Sequence, residues 1–327
     1  MTIDNQIINY LNTAQEGSVS ELQEHIPVSR QMLHRVLNRM LEDGLVQKLG
    51  RPPRVFYRLN RDIPEKKSPP FTLSEDELNF LAAHFLLITE TGNRLEGIAA
   101  LQTWSEKQKL PVEKTAREFI TTQKKYLQYV LPNGLINGTE KLLNTKGFDK
   151  ISIDEMFYCD FYAIERFGKT RLGTLLHFAK QGQNRKLIQE IVSLTKERAE
   201  KLIIDKKIDA VGYIPPTIKR QLQFMNVLQK GYNLSLPHLN LLKVTGAIPI
   251  PQKALNKIED RIGNARASII VKENREFNNV LLIDDAVGSG ATINETATKL
   301  KSKGTAKKVF GLAVTGSFKG FDVIQEV

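Results

Sequence analysis

Cysteine is nearly absent from this chain of 327 residues, with Cys159 the single one. That scarcity excludes an intramolecular disulfide framework and any zinc site built on several cysteines, and it fits a reducing, cytoplasmic setting. Cys159 itself reads as a small buried residue. Long apolar runs are missing too: no stretch approaches the roughly 18 residues needed to span a bilayer, so no membrane partner is expected. The opening MTIDNQIINYLNTAQEG lacks the basic segment and apolar core of a secretion signal. No solenoid-type repeat is present. Acidic residues are in the minority, 36 against 47 lysines and arginines, for a formal net charge of +11 and a pI near 9.5. A polyanionic partner follows only where that charge is focused.

What the chain does have is enough apolar residue, 41% of the total, to bury at least one substantial core, and its length suggests two or three domains. A linker is placed at 61–70, inside the string NRDIPEKKSPP, where three prolines sit among charges. Residues 1–60 precede it as one domain. Residues 71–150 read as a helical block: Ser74 followed by Glu77 forms a capping box, Leu78, Leu81, Ala82 and Phe85 recur at helical spacing, and helices follow near 94–109 and 112–130. Nothing gathers around His84 or Trp104, so the block is a spacer or an oligomerisation element, and a homodimer is an expected assembly. From 151 to 327 short apolar runs alternate with helical stretches, the pattern of a parallel sheet wrapped by helices. Strands are expected at 208–214, 239–244, 268–271, 280–284 and 308–314, and helices at 184–204, 217–230 and 291–303.

Residues 3–14, 18–25 and 29–43 read as three short helices, and 45–59 as two strands turning at Gly50, Pro52 and Pro53. Leu33, Val36, Leu37 and Met40 fall on one helical face, which leaves Arg30, Gln31, His34, Arg35 and Asn38 on the other. Side chains of those five types can donate to base edges or phosphates. Residues 1–28 carry four acids and no lysine or arginine, whereas 29–61 carry eight basic residues, including Lys48, Arg51 and Arg54, against two acids. The positive charge is focused where a duplex would dock. The segment VSRQMLHRVLNRMLEDGLVQKLGRPPRVFYRL resembles the winged helix-turn-helix family of bacterial regulators, which implies DNA as a partner; use in protein contacts is the alternative.

The strongest local signal is VLLIDDAVGSGATINE at 280–295. A buried strand ending at Asp284 sets Asp284 and Asp285 at the carboxyl edge of a parallel sheet, where ligands of open α/β folds bind, and carboxylates there can accept hydrogen bonds from a ribose diol. In the turn Ala286, Val287, Gly288, Ser289, Gly290, Ala291 and Thr292, the glycines let backbone amides converge, Ser289 and Thr292 add hydroxyls, and a helix points its positive end at the same place. The string is not a Walker motif, having no Gly-Lys-Ser/Thr ending, nor a Rossmann fingerprint, since the acids precede the glycines.

This segment resembles the phosphoribosyl pyrophosphate motif of type I phosphoribosyltransferases. The resemblance implies that Asp284 and Asp285 hold the ribose hydroxyls with Mg2+ nearby and that residues 286–292 hold the 5-phosphate. LLHFAKQG at 175–182, DAVGYIPPTIKR at 209–220 and the spaced Gln252, Leu255, Arg261 and Asn264 are similar to the competence-associated ComF-type phosphoribosyltransferases. From that family, the loop holding Pro216, Thr217, Lys219 and Arg220 is expected to face the pyrophosphate, and a loop at 246–266 to close over the site. The fold expected overall is α/β: a phosphoribosyltransferase-type parallel sheet flanked by helices, preceded by a winged helix domain and a helical block. Two functions remain open. One is a DNA-binding regulator or processing factor that senses phosphoribosyl pyrophosphate or a nucleotide, similar in plan to purine repressors. The other is an enzyme that displaces pyrophosphate or cleaves a nucleotide's glycosidic bond; in architecture this resembles effectors encoded beside retron reverse transcriptases, which implies a reverse transcriptase–DNA complex as partner. An enzyme needs a hood over the base, and Phe157, Tyr158, Phe161 and Tyr162, in a strand-like apolar run, read as core instead.

Overall fold

The computed structural model describes residues 3–60, 72–218, 220–244, 255 and 257–318. The linker at 61–70, Lys219 and Gln252 therefore lie outside the described residues. The chain divides into two compact units, Met1–Phe71 and Thr72–Val327.

In the first unit, α1 (Ile3–Ala14), α2 (Val19–His25) and α3 (Arg30–Glu42) precede an antiparallel hairpin of β1 (Val46–Arg51) and β2 (Arg54–Leu59). Ser18 and Glu21 form a reciprocal capping box at α2, and the Ser29 hydroxyl accepts from the Met32 amide at 3.2 Å, so both helix starts are fixed by their own side chains. Leu33, Val36, Leu37 and Met40 are buried against Ile7, Leu11, Leu22 and Tyr57, as their spacing requires. Tyr57 and Gly17 exchange backbone hydrogen bonds of 2.8 Å, tying β2 to the turn between α1 and α2.

The second unit opens with α4 (Glu75–His84), a small hairpin of β3 (Leu86–Ile88) and β4 (Arg94–Glu96), α5 (Gly97–Lys107) and α6 (Val112–Leu127). Next come β5 (Ile136–Asn137), α7 (Thr139–Leu143), β6 (Glu155–Phe161), α8 (Arg171–Gln181), α9 (Arg185–Asp205), β7 (Ala210–Tyr213) and α10 (Phe224–Tyr232). β8 (Leu241–Lys243), α11 (Ile258–Ser268), β9 (Ile269–Val271), β10 (Phe277–Val287), α12 (Ala291–Ser302) and β11 (Ala306–Gly316) complete it. The main sheet has five strands in the order β5-β6-β11-β10-β7, parallel except for β5. The architecture is mixed α/β, with helices flanking a mostly parallel sheet. Leu281, Ile283, Leu312 and Val314 point to one face, where α8, α9 and α10 contribute Leu175, Ile191 and Leu228. On the other face Gly311 meets Ile293 of α12 and Met156 of β6.

Several elements differ from the sequence reading. Residues 71–150 do not stand apart: β5 pairs with β6, and Phe85 and Phe119 stack edge-on at 4.8 Å and meet Trp104 and Phe167, joining the helices to the sheet's end. β10 continues beyond Asp284 to Val287 because β11 is long enough to pair it, Val287 facing Gly316. The helix expected at 217–230 begins only at Phe224, since Leu222 N bonds to Gln183 Oε1 at 2.9 Å and holds the preceding loop against the turn between α8 and α9. Within the loop expected at 246–266, Ile258–Ser268 is helical; Ile258, Ile262 and Ala265 share a buried face, two of them packed on Ala291. No helix among the described residues is long and apolar enough to cross a membrane.

Candidate functional site

At the carboxyl edge of the main sheet a cavity of about 310 Å3 opens between β10, α12, α8, the loop after β7, β8 and α11. Its floor is Asp284, Asp285, Ala286 and Val287; its end wall is Gly288, Ser289, Gly290, Ala291, Thr292 and Ile293. Gly290 precedes the first helical residue with φ +82°, where a side chain is strained and a Cβ would collide with Leu142. Ser289 Oγ accepts from Ala291 N at 3.4 Å. The first turn of α12 thus opens onto the cavity with a helix's positive end. Behind the turn, Lys141 of α7 donates to the Gly288 carbonyl, and burial pushes its amine down to about 8.

The acid pair is half-buried. Asp284 Oδ1 accepts from Asp285 N at 2.8 Å, and burial, reinforced by the neighbouring Asp285 charge, holds the Asp284 carboxyl well above the usual carboxylate range. Asp285 is met by Lys180, whose Nζ donates to Oδ2 at 2.6 Å. Lys243 of β8 stands in the same cavity; burial lowers its pKa, and the charges of Asp284 and Asp285 oppose that fall. Among the described residues no third His, Cys, Asp or Glu joins the two carboxylates to form a metal cluster. A divalent ion at this place would take the rest of its coordination shell from ligand oxygens and water.

Of the residues expected in the loop after β7, Pro216, Thr217 and Arg220 line the cavity, and Arg220 also donates to the Lys180 carbonyl. Arg261 of α11 lines the opposite side, buried, with Nε donating to Leu255 O at 2.6 Å and its pKa lowered by burial. The sequence reading missed Lys180, Lys243 and His177 as members of the site. Lys180 and His177 lie in the LLHFAKQG string and share an i, i+3 face of α8. Gly173 lets that helix start directly under the Tyr162 carbonyl, where a Cβ would collide with the oxygen, and so carries the helix across the cavity. Of the four aromatic residues read as core, Phe157, Tyr158 and Phe161 are buried away from the cavity, whereas Tyr162 lines it with its hydroxyl 3.5 Å from His177 Nδ1. Burial raises that phenol to about 12. Leu176, Leu222, Phe224 and Met225 make the adjoining wall apolar.

The second candidate surface lies on the first unit. Arg30, Gln31, His34, Arg35 and Asn38 on α3, and Lys48, Arg51 and Arg54 on the hairpin, are all exposed. Arg39, also on α3, is drawn back to Asp4 by a contact of 2.6 Å.

No model of a known protein family matches the chain, and no curated protein matches it.

Proposed function

We propose that the Thr72–Val327 unit is a phosphoribosyltransferase-type domain that binds phosphoribosyl pyrophosphate or a related nucleotide, and that the first unit is a winged helix that docks on duplex DNA. The observation that carries the ligand reading is that the acid pair of β10 and the glycine turn opening α12 line one cavity. A 5-phosphate at the turn would gain the helix's positive end, while the ribose diol would reach toward the carboxylates. The remaining cations of the cavity, Arg220, Lys243 and Arg261, suit the phosphates at the other end of a doubly phosphorylated sugar. Magnesium bound with such a ligand would supply charge neutralisation between diphosphate oxygens. For DNA, support comes from eight polar or basic side chains left exposed by the same helix and hairpin.

Together the two units make a DNA-binding protein whose DNA affinity responds to ligand. By linkage the ligand must then change DNA affinity by the same factor as DNA changes ligand affinity, typically about fivefold or more. DNA titrations at constant ionic strength, with and without saturating phosphoribosyl pyrophosphate, test this. The shift should vanish in the double variant Asp284→Asn, Asp285→Asn, which should also abolish ligand binding in calorimetry. Unchanged ligand binding in that variant overturns the assignment of the pocket.

One observation favours a second reading. Tyr162 and His177 stand beside an apolar wall inside the cavity, where a base could stack. In that reading the domain is an enzyme that transfers a phosphoribosyl group or cleaves a glycosidic bond. Pyrophosphate or free base released in steady turnover, with DNA affinity indifferent to ligand, would favour it over sensing.

A further inference from the structure

Two adjacent carboxylates at a ribose-binding edge carry more negative charge than the sugar hydroxyls can satisfy, so a cation belongs beside them. In this cavity that cation is part of the chain. Lys180 Nζ lies 2.6 Å from Asp285 Oδ2, and the Asp285 side chain keeps only 19% of its exposure against 38% for Lys180. The end of the helix that carries this side chain is fixed in turn: Lys180 is the penultimate residue of α8, and its backbone carbonyl accepts from Arg220 in the loop after β7. Lys243 comes from a separate element, β8, and lines the same cavity as both acids. Asp285 thus faces the Lys180 ammonium directly, with Lys243 lining the same cavity. Magnesium bound to the same Asp285 carboxylate, at the roughly 2.1 Å it requires, would stand within a few ångströms of the Lys180 ammonium, where like charges repel strongly in a partly desolvated site.

We propose that Lys180 is the resident counter-cation of Asp284 and Asp285, so that this site takes a ribose 5-phosphate group without a divalent metal. The inference rests on the ligand reading above and adds to it that metal dependence is confined to ligands which bring their own diphosphate.

Calorimetric titration of the full chain with ribose 5-phosphate, in EDTA and again in millimolar MgCl2, tests it. In the wild-type protein the two affinities should agree within about threefold. Lys180→Met should bind at least tenfold more weakly in EDTA and recover in MgCl2, while Lys180→Arg, which restores a cation, should stay metal-independent. Binding by the wild-type protein that appears only with MgCl2 overturns this inference and leaves the ligand reading standing. So does a Lys180→Met variant whose affinity in EDTA equals that of the wild type. If Lys180→Met fails to fold, the wild-type and Lys180→Arg titrations still decide the matter. Absence of binding in both media overturns the ligand reading and this inference with it.

Discussion

Eight side chains of the first unit's polar face, from Arg30 to Arg54, stand in the open and come from one helix and one hairpin, whereas the second unit's cavity draws its walls from six separate segments. The first arrangement needs only that α3 turn its apolar stripe inward; every residue left over is then presented outward at once. The second needs β10 and α12 in register with β11, α8 laid across their ends, and α11 packed on α12. An exposed face tolerates the loss of any one member, while an enclosed one is sensitive to the backbone that shapes it.

That contrast can be broken most sharply at Gly290. Gly290→Val puts a β-branched side chain at φ +82° and drives it into Leu142. It should destabilise the second unit by about 2–4 kcal/mol and abolish phosphoribosyl pyrophosphate binding, while DNA affinity in a gel-shift titration stays unchanged. Thermal unfolding that matches the wild type would show that the turn does not need its left-handed glycine.

A smaller effect is expected on the open face. Arg35→Ala combined with Arg51→Ala should weaken DNA binding without changing ligand affinity. Each lost phosphate contact should reduce the log–log salt slope by about 0.9. An unchanged slope means the positive charge of α3 and the hairpin serves something other than a duplex.

The smallest effect belongs to Lys141, which sits behind the glycine turn that opens α12. Its amine is lowered to about 8, below its ordinary value of 10.5, because burial disfavours the charged form. The unfolded chain therefore binds more protons than the folded one between those two values, and stability rises with pH across that window. Below it the cost of burying the ammonium is fully present. In Lys141→Met that pH-dependent part should disappear, a difference of about 1–2 kcal/mol between pH 7.5 and 10 after allowance for the partly exposed site, read by denaturant unfolding. Parallel stability–pH curves for the two proteins would show that the amine is not desolvated.

Much of this was legible in the one-dimensional pattern. The helices and hairpin of the first unit came out within a residue or two of where spacing and turn residues put them, because each is set by local rules: Leu33, Val36, Leu37 and Met40 form a stripe, and the structure adds Ser18 and Ser29 as caps. The strand, acid pair and glycine turn at 280–292 were equally local. Elements defined by distant partners were not. β5 has two residues and exists only as a neighbour of β6, and the second half of β10 extends only because β11 does. Lys180 was only one letter of the LLHFAKQG string until the fold set it against an aspartate 105 residues away.

Composition and periodicity by themselves determined that the chain has a basic helix and hairpin and a separate α/β region containing an acid-then-glycine turn, since burial patterns and turn chemistry are written in near neighbours. Tertiary structure alone decided that the helices of residues 71–150 belong to the α/β unit, that Tyr162 faces a cavity while Phe157, Tyr158 and Phe161 do not, and that the acid pair already has a cation. Those outcomes depend on which surfaces meet, and a side chain's electrostatic partner is set by distance in space, which the order of residues along the chain does not specify.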